Sequence, residues 1–414
     1  MKVEIRPSLL KGRLSAPPSK SMAHRLLICA GLAKGSSHIT GVAASEDVMA
    51  TLDLLQCLGS VCQKNGDRAS IQGTDPCVAS PTEPLNCREC GSTLRFFIPI
   101  CLLSNQKITL TGSDRLFARP LTVYEELCRE KGLYWNAAGN HVTVQGPLSG
   151  GVFTVAGNIS SQFISGLLFA LPLCREDSEI RILPPLESKP YLDMTIEALN
   201  AFGVSVVWKD EWTLFIKGGQ SYRPRDLAVE GDFSNAAFFE ALRYLGHDVS
   251  VENLNLRSLQ GDKIYLQYFP KLAEGAPVQS IRQCPDLGPI LIALAAAQNG
   301  ATLTDTQRLR IKESDRGVAM AEELKKLGAT VRVMENEIVI SRGELKAPSL
   351  PLCGHNDHRI VMALAVLLTR FGGVIEGAQA VQKSLPEFFD LLRSLGCILT
   401  VSENDETPER NFCG

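Results

Sequence analysis

Ala319-Met-Ala-Glu-Glu-Leu-Lys-Lys-Leu-Gly328-Ala-Thr-Val-Arg-Val-Met-Glu335-Asn336-Glu-Ile-Val-Ile-Ser341 holds a helix, its stop and a hairpin in 23 residues. Apolar residues at helical spacing lead to Gly328, the residue type that a left-handed helix C-terminus favours. Two alternating runs then flank Glu335-Asn336 and read as strands joined by a tight turn. The same ending recurs along the chain. Asp47-Val-Met-Ala-Thr-Leu-Asp-Leu-Leu-Gln-Cys-Leu-Gly59 is another instance, and Gly132, Gly203, Gly275 and Gly396 complete a series with spacings of 73, 71, 72, 53 and 68 residues.

A second, independent series marks helix starts at Lys20-Ser-Met, Ser92-Thr-Leu, Ser160-Ser-Gln, Ser234-Asn-Ala, Leu287-Gly-Pro and Asp357-His-Arg, with spacings of 72, 68, 74, 53 and 70. Unrelated helices do not keep step in this way, so the chain is read as six copies of one unit, the fourth shortened. With a strand before each helix, and one of them expected at Leu227 to Glu230, the unit is βαβαββ. Six units give an α/β protein of two lobes with three repeats each. The expected lobes are 15–224 and 225–414, with the boundary near Gln220-Ser-Tyr-Arg-Pro-Arg-Asp226 and the N-terminal segment 1–14 crossing back to the second lobe.

Composition agrees with a folded protein of this size. The 414 residues are 45% hydrophobic and 21% charged, which excludes disordered and fibrous classes. A formal net charge of -3 offers no overall basic field for nucleic acid. Apolar runs such as Ile360 to Leu368, nine residues, are too short to cross a bilayer. No signal or transit pattern opens the chain, so a soluble cytoplasmic protein is expected. Thirteen cysteines in an odd, scattered set read as reduced thiols. Neither Cys87-x-x-Cys90 nor His355 with His358 assembles four zinc ligands, and no metal is expected.

Helix starts expose N–H groups and a partial positive charge, so they suit phosphate and carboxylate groups. The first start offers Ser19, Lys20 and Ser21, with Arg25 just inside the helix. The second offers Gly91, Ser92, Thr93 and Arg95, and the third Ser160, Ser161 and Gln162. In the second half the equivalent points are acidic or mixed: Asp232, Asp286, and Asp357-His358-Arg359. Arg308-Leu-Arg-Ile-Lys-Glu-Ser-Asp-Arg316 adds four bases and two acids before a helix, with Asp286 a candidate base and Lys312/Glu313 a candidate proton-transfer pair. One half thus supplies hydroxyls and bases and the other carboxylates and more bases, which suits a ligand with several negative groups bound between lobes. No nucleophile elbow, Rossmann or Walker motif is present, so acid/base chemistry without a cofactor is expected.

These residues resemble the 5-enolpyruvylshikimate-3-phosphate synthase family along nearly the whole chain. The likeness rests on Ser19-Lys20-Ser21 through Arg25, Gly91-Ser-Thr-Leu-Arg95, Arg119-Pro120, Ser160-Ser-Gln162, Ser188-Lys-Pro-Tyr191, Gly231-Asp232, Gln260-Gly-Asp262, Pro285-Asp286, Lys312-Glu-Ser-Asp-Arg316, Asp357-His-Arg359 and Lys383-Ser-Leu-Pro386, all in family order. The resemblance implies a two-lobed enolpyruvyl transferase fold that closes over shikimate 3-phosphate and phosphoenolpyruvate. It implies transfer of the enolpyruvyl group to the 5-hydroxyl with release of phosphate. Arg25, Ser160, Ser161, Gln162, Ser188 and Tyr191 would hold shikimate 3-phosphate. Arg95, Arg119, Arg316, Arg359 and Lys383 would hold phosphoenolpyruvate, with Lys20 between the two, and Ser21, Gly91 and Lys312 join the binding set. Catalysis is expected from Glu313 as acid at the methylene carbon, Asp286 as base at the hydroxyl, Lys20 for charge, and His358 orienting Glu313.

Two positions depart from the family pattern: Glu89 and Arg308 stand where Asn is frequent, and contacts there are set aside. UDP-N-acetylglucosamine enolpyruvyl transferase is the nearest competing reading, but Lys20 is followed by Ser21, and Thr111 to Arg119 contains no Cys. A non-catalytic phosphate-ligand binder would not need Asp286, Glu313 and Lys20, and an RNA-phosphate-processing relative would need a basic groove. The chain is expected to act as a monomer, and its tail, Glu403 to Gly414, to be mobile.

Overall fold

The helix ending at Gly328 spans Arg316–Lys326, and the strands after it, Thr330–Val333 and Glu337–Ser341, pair antiparallel as their alternation requires. The strand Val278–Ser280 lies parallel to Gly300–Thr304, which pairs antiparallel with Glu337–Ser341. The second and third copies repeat this order: the two strands flanking the first helix run parallel, and the hairpin adds two antiparallel strands beyond them.

The computed structural model describes residues 1–403; the rest of the tail expected to be mobile lies outside the described residues. The chain divides into a central unit, Pro18–Glu230, and a terminal unit, Met1–Pro17 with Gly231 onward. The strand expected to open the fourth copy is Asp226–Ala228, and it pairs instead in parallel with Ser36–Thr40 of the first copy. That pairing keeps the chain in the central unit up to Glu230, a few residues past the expected boundary. The fourth copy's second strand, Asp248–Glu252, takes Lys11–Ser15 as its parallel partner.

The fourth copy is short because it lacks the hairpin: among the described residues its sheet has two strands, and the chain runs from the helix Tyr265–Glu274 directly to Val278–Ser280. The turn after that helix has no hairpin to enter. Gly275 is accordingly extended, with φ −176°, whereas the five equivalent glycines have φ between 66° and 104°. In the sixth copy the inner hairpin strand comes from the other end of the chain: Lys2–Arg6 lies between Gly373–Glu376 and Ile398–Ser402, antiparallel to both. Its Val3 and Ile5 point inward and are buried.

The first helix of each copy forms the core of its unit. Lys20–Leu32, Gly91–Cys101 and Ser161–Ala170 are buried on nearly every face, as expected for helices apolar all round. The second helices are amphipathic; Thr122–Lys131 buries only Val123, Tyr124, Leu127 and Cys128. The inner helices approach closely at Gly166, where a Cβ would lie 2.3 Å from both the Arg95 carbonyl and the Tyr124 hydroxyl. In the terminal unit Phe233–Tyr244, Gly288–Ala297 and His358–Phe371 pack against one another in the same manner. No helix among the described residues is long and apolar enough to cross a membrane.

Candidate active site

All the inner helices except Gly288–Ala297 begin with a side chain that caps them, and polar groups stand at their mouths. In the central unit Ser19, Cys90 and Ser160 accept from the backbone N–H of Met22, Thr93 and Gln162. Lys20, at the first mouth, donates to Asp47 Oδ2 at 2.7 Å. Asp47 was not expected in the site, since an acid in the first turn of Glu46–Cys57 reads equally well as a dipole-complementing residue. Arg25 is clamped by its own helix and the third copy: Nε donates to Thr195 Oγ1 at 2.8 Å, and its terminal nitrogens to the carbonyls of Ser21 and Tyr191. Burial lowers its pKa to about 10, and the rings of Phe96 and Tyr191 flank it.

Arg95, Gln162 and Ser92 form a chain across two mouths: Arg95 donates to Gln162 Oε1 at 2.8 Å, and Gln162 Nε2 donates to Ser92 Oγ at 2.9 Å. Ser160 and Ser161 are buried beside them. Ser188 is buried in the left-handed region, φ 57°, and its carbonyl accepts from Tyr191 N–H, which fixes the start of the helix Lys189–Ala201. A non-glycine residue held there is uncommon and suits a site built for a ligand.

Gly91 and Arg119 are in contact. A Cβ on Gly91 would fall 2.7 Å from Arg119 Nη1, and Arg119 Nε is buried with no hydrogen-bond partner among the described residues. The guanidinium therefore lies over a bare backbone with a donor left for a ligand. Gly91→Ala pushes it away without touching the core. On the expectation from the resemblance that Arg119 holds phosphoenolpyruvate, the Michaelis constant for that molecule should rise roughly 10-fold or more, from a weakened charge-assisted hydrogen bond, with thermal stability unchanged. Steady-state kinetics beside a melting curve check this; an unchanged Michaelis constant would remove Arg119 from that contact.

The terminal unit gathers a denser cluster. The short turn Pro285–Leu287 precedes Gly288–Ala297, and its Asp286 is turned to the cluster instead of capping the helix. Asp286 Oδ1 accepts from Lys312 at 3.1 Å and Arg316 at 2.8 Å, and Oδ2 accepts from Arg359 at 3.3 Å. Arg316 also donates to Glu313 Oε2 at 2.7 Å and to Asp357 Oδ2 at 2.9 Å. Asp357 caps His358–Phe371 by accepting from Arg359 N–H, and it accepts from Ser314 Oγ at 3.0 Å. Lys383 donates to the Asn356 carbonyl at 2.7 Å.

Burial pushes the Asp286 carboxyl up, but Arg359, Lys312 and Arg316 overcome it and hold its pKa well below 3.8. Burial lowers Lys312 to about 8, with Asp286 pulling upward and Arg308 and Arg316 pushing down. Around both groups bases outnumber acids: Arg308, Lys312, Arg316, Arg359 and Lys383 against Asp286, Glu313 and Asp357. Such a surplus suits an anion with more than one negative charge.

Asp357 was not expected as a charge partner, because in the sequence it reads as an N-cap. His358, expected to orient Glu313, has its Nδ1 3.9 Å from Asp357 Oδ1, and Arg316, which Asp357 holds, donates to Glu313. Of the two departures, Glu89 Oε1 accepts from Ser113 Oγ at 3.3 Å, and Arg308 is buried beside Lys312. Outside both clusters, His355 Nε2 pairs with Glu323 Oε1 at 3.0 Å.

The chain is similar to proteins of one family over nearly its whole length. The family model described as EPSP synthase (3-phosphoshikimate 1-carboxyvinyltransferase) matches residues 5–274 and 267–392. A 3-phosphoshikimate 1-carboxyvinyltransferase of Clostridium perfringens is 40% identical over 420 residues, covering 96% of this chain and 99% of its own. One from Clostridium kluyveri is 40% identical over 416 residues, covering 95% and 97%. A solved EPSP synthase structure from Acinetobacter baumannii superposes with a TM-score of 0.80 at 23% identity, over 97% of this chain and 100% of that one.

Proposed function

The chain belongs to the EPSP synthase family, and from that premise we propose how its own residues carry the reaction. It transfers the enolpyruvyl group of phosphoenolpyruvate to shikimate 3-phosphate in the shikimate pathway. In the central unit, Arg25, Ser160, Ser161, Gln162, Ser188 and Tyr191 hold shikimate 3-phosphate, with Ser21 at the first helix mouth. Phosphoenolpyruvate is held by Arg95 and Arg119, and by Arg316, Arg359 and Lys383, with Lys312 beside them. Several bases, mostly Arg, supply the paired donors that a phosphate and a carboxylate on one small molecule require.

Glu313 delivers a proton to the methylene carbon, and the 5-hydroxyl, its proton passing to Asp286, attacks the neighbouring carbon. The tetrahedral intermediate then loses a proton from its new methyl group back to Glu313 as the C–O bond to phosphate breaks and the double bond re-forms, and the hydroxyl proton held by Asp286 leaves with the phosphate. Asp286 is a weak base while three cations hold it. Phosphoenolpyruvate competes for those cations, and the carboxylate becomes more basic as they turn to the ligand. Lys20, paired with Asp47, stabilises charge at the hydroxyl. His358, beside the Asp357 that fixes Arg316, orients Glu313 through that pair.

The observation that carries this reading is the pairing of Glu313 and Asp286 through one buried arginine, which places both candidate proton-transfer groups on the same cation. The enzyme acts in the cytoplasm as a monomer and needs neither metal nor organic cofactor. Phosphate release from phosphoenolpyruvate is expected with shikimate 3-phosphate as acceptor, to persist in chelator, and to be absent with UDP-N-acetylglucosamine. Release with the sugar nucleotide alone would overturn the acceptor assignment.

A further inference from the structure

We infer that His24, Asp47 and Cys90 form a binding site for one thiophilic divalent cation of the zinc class, in the central unit beside Lys20. One ligand atom from each of the three lies within 4.8 Å of the others, and all three residues are buried. A nitrogen, a carboxylate oxygen and a sulfur on tetrahedral zinc stand at bond lengths of about 2.0–2.3 Å, which puts them roughly 3–4 Å from one another. His24 Nε2 and Cys90 Sγ are already 3.8 Å apart.

The groups come from three separate helices: His24 from Lys20–Leu32, Asp47 from Glu46–Cys57, and Cys90 as the N-cap of Gly91–Cys101. Rigid elements with fixed side chains are what a preorganised metal site needs. His24 Nδ1 lies 2.7 Å from Thr51 Oγ1, which in turn lies 2.9 Å from Thr93 Oγ1. This is the outer hydrogen bonding that orients a metal-ligating imidazole, and it leaves Nε2 as the nitrogen facing the thiol.

A doubly charged cation, one carboxylate and one thiolate sum to zero; the thiol proton passes to solvent on binding, and Lys20, no longer paired with Asp47, turns to solvent. Solvent reaches the cluster through Lys20 and Asp47, whose side chains keep 15% and 11% exposure. The fourth coordination position falls to water, as in open zinc sites.

Occupation takes Asp47 away from Lys20. Since Lys20 is proposed to stabilise charge in the reaction, the bound cation inhibits the enzyme. That consequence rests on the role proposed for Lys20, whereas the binding does not.

The test uses zinc chloride on the full chain and on Cys90→Ser, whose hydroxyl can still accept from Thr93 N–H but is a far poorer zinc ligand. Crystals grown with zinc should show anomalous density bonded to His24, Asp47 and Cys90. Chelator-reversible inhibition should follow, with an inhibition constant raised 10-fold or more in Cys90→Ser when each protein is referred to its own metal-free rate. His24→Gln should show the same loss of sensitivity. Anomalous density confined to exposed thiols such as Cys57 or Cys77, or equal zinc sensitivity in Cys90→Ser, would overturn the site. Occupation of the cluster without inhibition would uphold the site and remove the role given to Lys20.

Discussion

Glu313→Gln lowers turnover by roughly 10²–10⁴-fold, the range for removing a positioned acid, while shikimate 3-phosphate binds as tightly as before. The substitution keeps size and shape and an oxygen that can accept from Arg316, the 2.7 Å partner of the carboxylate. Only the transferable proton and the charge are lost. Because the shikimate 3-phosphate contacts are assigned to central-unit residues, its affinity should not move. Phosphate-release kinetics together with calorimetric titration of shikimate 3-phosphate separate the two quantities. Turnover near that of the unaltered protein would take Glu313 out of proton transfer.

Arg316→Met costs about 3–5 kcal/mol of stability at neutral pH, the range for removing one partner of a buried ionic network. The Arg316 side chain is 1% exposed and bonds to Asp286, Glu313 and Asp357, so its loss leaves three carboxylates facing one another. The sign of the pH dependence follows from Asp286. Its carboxyl is depressed in the folded protein, so its stabilising contribution is complete above the unfolded value near 3.8 and is lost as pH falls through the folded value. Without Arg316 that depression shrinks, and the stability gap between the two proteins should narrow below about pH 4. Urea unfolding followed by circular dichroism at neutral and acid pH measures the gap. Tryptophan emission would miss it, because Trp135, Trp208 and Trp212 all lie in the central unit. A gap under 1 kcal/mol at neutral pH would mean that Arg316 is not the hub of the cluster.

The repeat was legible because its signals are local. Gly328, the apolar spacing before it and the alternation after it act over about twenty residues, and hydrogen bonds within that range form the helix and hairpin. The residue types at the helix starts were legible for the same reason. Arg25, Arg95, Ser160 and Gln162 stand near N-termini where an anion is favoured, and the structure joins Arg95 to Gln162.

Asp47 and Asp357 were overlooked as charge partners because a carboxylate in a first turn or at an N-cap has a sufficient local explanation. The strand at Asp226–Ala228 was legible as a strand but not as the partner of Ser36–Thr40, about 190 residues away. The 53-residue spacing revealed that the fourth copy was short without revealing that the hairpin was the missing part.

By itself, then, the sequence determined the repeating unit, the helix starts and the kinds of group gathered there, since periodicity, capping and turn chemistry are settled between near neighbours. The tertiary structure alone decided that Arg316 would bind Asp286, Glu313 and Asp357 together, that Lys20 would take Asp47, and that His24 and Cys90 would meet. Those pairings depend on where packed helices bring their N-termini, and an ion pair or hydrogen bond changes sharply over about an ångström. Spacing along the chain cannot set a distance that fine.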